Sequence, residues 1–182
     1  ALRVLLLTGG QRGAQLFRVE LSNVDLDYGT ILLMDPKGRR TVPRPHLIPL
    51  TETAKSDVRF LHQLSVSIGS QFLFSSPKPK THLLQSTVSQ YVAEICRQMR
   101  LTKASDHEGF EAQSHFQCSD LRRTAETMLA RLGVSKDHRA HLQSHGISGV
   151  QDTHYDFYSY FAEKKAALEL WEKYLNSLLE KK

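Results

Sequence analysis

Cysteine is scarce in this chain: two residues in 182, Cys96 and Cys118, 22 positions apart and without a C-x-x-C partner. That excludes a disulfide framework and a cysteine-based zinc finger, and it fits a reducing cytosol. Long hydrophobic runs are missing too. The longest aliphatic stretch, Val4 to Leu7, falls far short of the ~20 residues a bilayer-spanning helix needs. No signal-peptide pattern points to secretion. There is no G-x-x-x-x-G-K-[ST] loop, no G-x-G-x-x-G and no H-E-x-x-H, which argues against a nucleotide-driven motor and a simple metalloprotease.

What remains is an ordinary globular composition, 40% hydrophobic and 24% charged, sufficient for one domain with a core. Lys and Arg number 24 against 19 Asp and Glu, a formal charge of +5, with a pI near 9.3. Such a balance suits a polyanionic partner, but many globular proteins reach it with none, so the charge alone decides little.

Periodicity and punctuation predict an α+β fold, mainly helical with a small antiparallel sheet. Leu2 to Leu6 reads as the last turns of a helix that Thr8-Gly9-Gly10 breaks. A chain opening in mid-helix and without Met reads as a fragment of a longer protein. Gln15 to Leu21 is a second helix candidate. Thr30 to Met34 is strand-like, Asp35-Pro36-Lys37-Gly38 reads as a turn, and Arg40 to Leu50 returns. Pro43 and Pro45 confine that return to a sheet edge or a bulged path.

Further helices are expected over Thr51–Leu64, with Leu61 and Leu64 toward the core, and over Ser86–Arg100. The second presents Val88, Val92, Ile95 and Met99 on one face. Lys103 to Gly109 is expected to be loop. Ser119-Asp120 should cap a helix ending at Leu132-Gly133, and Ser135 another ending near Gln143. Glu163 to Lys182 is helical, with Leu168, Trp171, Leu175 and Leu178 as its apolar stripe.

Five separated segments stand out. They are Arg12 on the glycine-rich turn Thr8-Gly-Gly-Gln-Arg12-Gly-Ala-Gln15, Lys37 at the hairpin tip, Arg122 in Ser119-Asp-Leu-Arg122-Arg123, His145 in Gln-Ser-His145-Gly, and Tyr155 in Thr153-His-Tyr155-Asp. The sequence here resembles the tyrosine recombinase (phage integrase) family across essentially all 182 residues. That family orders its site as Arg, Lys on a β-hairpin, H-x-x-R, His or Trp, then Tyr. His145 lies 23 residues after Arg122 and Tyr155 a further 10, similar to the family spacing. TGGQR, KGRRTVPRPHLIPL, DLRRTAETMLARLG and SHGISGVQDTHYD look like integrases of mobile elements such as prophages and genomic islands.

The resemblance implies that residues 1–182 are a recombinase catalytic domain without its N-terminal DNA-binding domain. It further implies site-specific cutting and rejoining of double-stranded DNA through a 3′-phosphotyrosyl intermediate. Expected partners are attachment-site DNA and sister protomers in a tetramer, with the fragment alone monomeric; no membrane, no metal and no cofactor is expected. The setting would be the bacterial cytoplasm.

The residue types suit that chemistry. A phenol is a fair nucleophile once deprotonated, and nearby positive charge favours the phenolate of Tyr155. Arg12 and Arg122 carry planar forks that stay charged and grip phosphate oxygens. Lys37 is the natural proton donor to the departing 5′ oxygen. His145 either donates to the phosphate or takes the tyrosine proton. Arg39, Arg40, Arg44, Lys78, Lys80 and Arg123 are read as contacts to the DNA backbone that position rather than specify.

Two positions depart from the family pattern. Ser119 stands where H-x-x-R has its His, and Gln15 stands where R-x-x-E has its Glu, removing a charge that would orient Arg12. Plainer readings stay open. Tyr158 shares a helix face with Tyr155, Arg122 can pair with Glu126 at i, i+4, Arg12 can cap a helix C-terminus, and Lys37 can be a solvated turn lysine. The stripe of the last helix is either core or a docking face for a neighbouring protomer. Outside strand transfer altogether stands a DNA-binding remnant that has lost it. Within the enzymes stand a chromosome-dimer resolvase and a type IB topoisomerase.

Overall fold

From Ile31 onward, alternation governs the second strand. In Thr30–Asp35, Ile31, Leu33 and Asp35 point inward and are buried, while Met34 is exposed. This strand, β2, lies between β1 (Val24–Asp25) and β3 (Arg44–Pro49) in a three-stranded antiparallel sheet of order β1-β2-β3. The register places Ile31 opposite Ile48, Leu33 opposite His46 and Asp35 opposite Arg44. The inward face therefore runs from apolar to charged toward the hairpin end. β3 is an edge strand, as Pro43 and Pro45 require.

The computed structural model describes residues 1–35, 43–76, 78, 80–106, 115–145 and 159–180. Among these, α1 (Leu2–Leu7), α2 (Gly13–Leu16) and a 3-10 turn (Leu21–Asn23) precede the sheet. After it come α3 (Glu52–Ser67), α4 (Gln85–Asp106), α5 (Cys118–Arg131), α6 (Lys136–Gln143) and α7 (Phe161–Leu179). Around the core, α1 packs on α3, α5 and α7, and α7 also packs on β3, α5 and α6. Trp171 of α7 is fully buried, and its indole N–H donates to the Leu6 carbonyl at 2.7 Å, so the last helix closes over the end of the first.

Several expectations need correction. The second helix is Gly13–Leu16 rather than Gln15–Leu21. Leu64 of α3 is exposed and Leu61 only partly buried, because Ala54, Val58 and Ser65 form the inner face. In α4 the buried row is Val88, Val92 and Cys96 at four-residue intervals, leaving Ile95 and Met99 outside, and the helix runs past Lys103 to Asp106. Gln117, not Ser119 or Asp120, is the N-cap of α5; Asp120 is the third helical residue and its carboxylate accepts from the Gln117 N–H at 2.8 Å. Leu168 and Trp171 are core residues of α7, whereas Leu178 is exposed. Asp35 is not a turn residue but the buried end of β2.

Candidate active site

The glycine-rich turn shows why two glycines are needed. Gly9 and Gly10 both have positive φ, +74° and +72°, and the Gly10 N–H closes α1 by donating to Leu5 O at 2.9 Å, a Schellman-type ending. A Cβ on Gly10 would lie 2.4 Å from the Arg122 Cα. Only hydrogen at that position lets α5 approach the turn.

Arg122 is seated by neutral carbonyls. Its guanidinium donates to Gly10 O at 3.1 Å and to Gln143 O. The Gln143 amide in turn donates to the backbone, to Gly9 O at 3.0 Å and to Arg122 O at 3.1 Å. Gln11 bridges Thr8 O at 2.8 Å and Leu142 O at 2.9 Å. The turn, the first helical turns of α5 and the end of α6 thus form one hydrogen-bonded block. Burial, and next the charge of Arg12, push the Arg122 guanidinium down to about 10, which still leaves it a cation at neutral pH. Glu126 pairs with Arg139 at 2.8 Å, so the i, i+4 pairing of Arg122 with Glu126 is not what holds the arginine.

Arg12 is held by charge. It stands immediately before α2 without a side-chain capping bond, and donates to Asp35 Oδ2 at 3.3 Å and to Ser144 O at 3.2 Å. Gln15, one turn on, donates to Asp35 Oδ1 at 2.6 Å. The Ser144 hydroxyl donates to Asp35 and accepts from Arg44, and the Arg44 guanidinium lies 3.9 Å from the Asp35 carboxylate. Ser144 reaches these partners from a left-handed conformation, φ 51° and ψ 49°, that ends α6. His145 follows it, exposed, with its N–H on Ala140 O at 2.9 Å.

The structure therefore brings together Arg12, Gln15, Arg44 and Arg122, with His145 directly after Ser144, which bonds to Arg12 and Arg44. Lys37, Arg39, Arg40, Tyr155 and its rival Tyr158 lie outside the described residues. Arg123 is exposed and pairs with Asp120. Lys78 and Lys80 are exposed in the loop before α4, and Ser119 is exposed on the first turn of α5. There it lines a cavity of about 380 Å³ together with His115, Gln85 and Cys118. Among the described residues no three His, Cys, Asp or Glu side chains gather to hold a metal ion, and no helix is long and apolar enough to cross a membrane. The sequence reading missed Asp35, Gln143 and Ser144. The alternation of β2 pointed to Asp35; nothing in the local pattern marked the other two.

No protein-family model matches the chain, and no curated protein does. Solved structures do. The XerA recombinase superposes with a TM-score of 0.62 over 96% of this chain at 19% identity. The fold is that of a tyrosine recombinase catalytic domain. The integrase of transposon Tn1549, solved with circular intermediate DNA, matches with a TM-score of 0.60 over 91% of this chain at 15% identity. The XerH site-specific recombinase bound to difH matches at 0.53 over 80% and 16% identity. The chain spans 56%, 55% and 38% of these three longer chains.

Proposed function

We propose that the chain is the catalytic portion of a site-specific DNA recombinase that integrates or excises a mobile element. The observation that carries this reading is the convergence of Arg12 and Arg122 from α2 and α5. Each is anchored on one side and has N–H donors to spare, a guanidinium carrying about five. Two anchored forks grip non-bridging phosphate oxygens and stabilise the extra negative charge of a pentavalent phosphorane. The recombinase fold supports the same reading.

In the reaction, the Tyr155 phenolate attacks the scissile phosphorus and forms a P–O bond. The bond from phosphorus to the 5′ oxygen breaks, and Lys37 gives that oxygen a proton. His145 assists at the phosphate or takes the phenol proton. The 3′-phosphotyrosyl ester keeps the bond energy, so attack by a 5′-hydroxyl rejoins the strand without an external energy source. Arg44, Arg39, Arg40, Lys78, Lys80 and Arg123 contact neighbouring phosphates, and sister protomers on DNA supply the other strands' nucleophiles.

The test is a nicked suicide duplex carrying the attachment sequence from the ends of the encoding element. The protein forms a covalent DNA adduct, and Tyr155→Phe abolishes it while Tyr158→Phe does not. Adduct lost with Tyr158→Phe and kept with Tyr155→Phe refutes the assignment of the nucleophile. Ser119 and Gln15 favour a second reading, a DNA-binding remnant, which predicts salt-dependent DNA binding with no covalent species.

A further inference from the structure

We propose that Asp35 is the positioning carboxylate of this site, supplying from the end of β2 the charge that Gln15 does not carry and holding Arg12 toward the phosphate. The inference rests on the recombinase reading and adds a residue from a different element. Asp35 is only 4% exposed, yet it sits among polar partners: the Arg12 guanidinium at 3.3 Å, the Gln15 amide at 2.6 Å, the Ser144 hydroxyl, and Arg44 at 3.9 Å. A buried carboxylate keeps its charge only where donors and cations gather in this way.

Position 15 explains the choice. Its amide nitrogen faces Asp35 Oδ1, so a glutamate there would set carboxylate against carboxylate. The two positions form one acid and one donor, and the chain has placed the acid on β2. The location has a further consequence. Asp35 is two residues before Lys37 in the chain and opposite Arg44 in register, so it ties the root of the hairpin to the arginine of the glycine-rich turn. Ser144 links the same carboxylate to the segment leading into His145. One side chain thus joins three of the five segments.

The experiment is a charge-swap cycle comparing the parent protein with Asp35→Asn, Gln15→Glu and the double variant. In the double variant the new amide on β2 donates to the new carboxylate on α2. The hydrogen bond survives with its polarity reversed, and the acid returns to the turn of Arg12. Two readouts are taken. One is the rate of covalent adduct formation on the suicide duplex at saturating DNA. The other is the rotation of the Arg12 guanidinium in nitrogen spectra, identified by its loss in Arg12→Lys.

Asp35→Asn slows adduct formation about 100-fold, the scale of a misplaced reacting group. Gln15→Glu is also slowed, and the double variant recovers to within about fivefold of the parent, a non-additive cycle. The guanidinium rotates slowly in the parent, freely in Asp35→Asn and slowly again in the double variant. Parental rates and parental rotation in Asp35→Asn overturn the proposal, as does a double variant no better than the worse single one. A parent without adduct whose spectra follow this pattern sinks the recombinase reading and leaves the seat of Arg12 supported. Melting curves check folding, and the double variant keeps the test open if Asp35→Asn alone unfolds.

Discussion

The two central arginines are held in opposite ways. Arg122 rests on the carbonyls of Gly10 and Gln143, a neutral seat in which no carboxylate bonds directly to the guanidinium. Burial there lowers its affinity for a proton to about 10. Arg12 rests on a carboxylate, which orients it strongly but cancels part of its field. The difference shows a division of labour: one cation is set by backbone shape, the other by a side chain that a single substitution can discharge. Arg44 beside them adds a third cation around the one carboxylate.

Breaking the backbone seat gives the largest effect. Gly10→Ala forces a Cβ to within 2.4 Å of the Arg122 Cα while φ stays at +72°. Left-handed strain and overpacking together cost about 3–4 kcal/mol, so the melting temperature falls by about 10 °C, with any DNA cleavage lost alongside. Gly133→Ala is the control, since its φ is also positive, +84°, but a Cβ there meets nothing within 4 Å. It isolates the strain from the collision. Equal losses in the two variants show that approach to Arg122 is not what Gly10 provides.

This contrast also explains what was legible beforehand. TGGQR and DLRR were visible as separate boxes, and the resemblance joined them. The reason for the second glycine, close passage of α5, is a contact between residues 112 positions apart that no local pattern encodes. Asp35 was hidden by its neighbours: followed by Pro-Lys-Gly, it reads as turn chemistry, although the period of two running from Ile31 through Leu33 places it inside. In α4 the apolar residues offered two overlapping rows, and packing on α5 selected Val88, Val92 and Cys96 over Ile95 and Met99. At the junction of α5 and α6 the helix ends follow capping chemistry. Ser135 caps α6 by accepting from the His138 N–H, and Gly133 follows α5 with positive φ.

A smaller effect sharpens the comparison from below the site. His46 is buried on β3 and shares the Leu142 carbonyl with Gln11, its Nε2 lying 3.0 Å from that oxygen. Burial first, then the nearby Lys164 ammonium, pushes it down to about 3. The imidazole is therefore neutral in the folded protein, with Nε2–H donating to the carbonyl. A base whose affinity for protons falls on folding gives stability that is present above its unfolded value near 6.5 and lost as pH drops toward 3. At pH 5 the loss is on the order of 2 kcal/mol, about 4–8 °C in melting temperature. In His46→Gln the carbonyl keeps a donor, so the melting temperature changes less between pH 7 and pH 5. An unchanged acid slope in that variant shows that another group carries it.

The smallest effect belongs to Arg123, the immediate neighbour of Arg122. One residue along a helix is a turn of about 100°, enough to carry this side chain from the carbonyl seat out to solvent, where it pairs with Asp120. That carboxylate is held below its usual range chiefly by the Gln117 N–H and only secondarily by Arg123, so the cap of α5 survives without the arginine. Arg123→Ala should leave the melting temperature within about 2 °C, as exposed pairs contribute little. On DNA it weakens binding to all sequences alike and lowers the salt slope by about one counterion. Arg122→Ala, by contrast, leaves the carbonyls of Gly10 and Gln143 without this donor and removes one of the two cations of the proposed phosphate site. Two arginines adjacent in sequence then separate into a surface contact and an anchored cation, and a comparable loss of cleavage in both variants would erase that distinction.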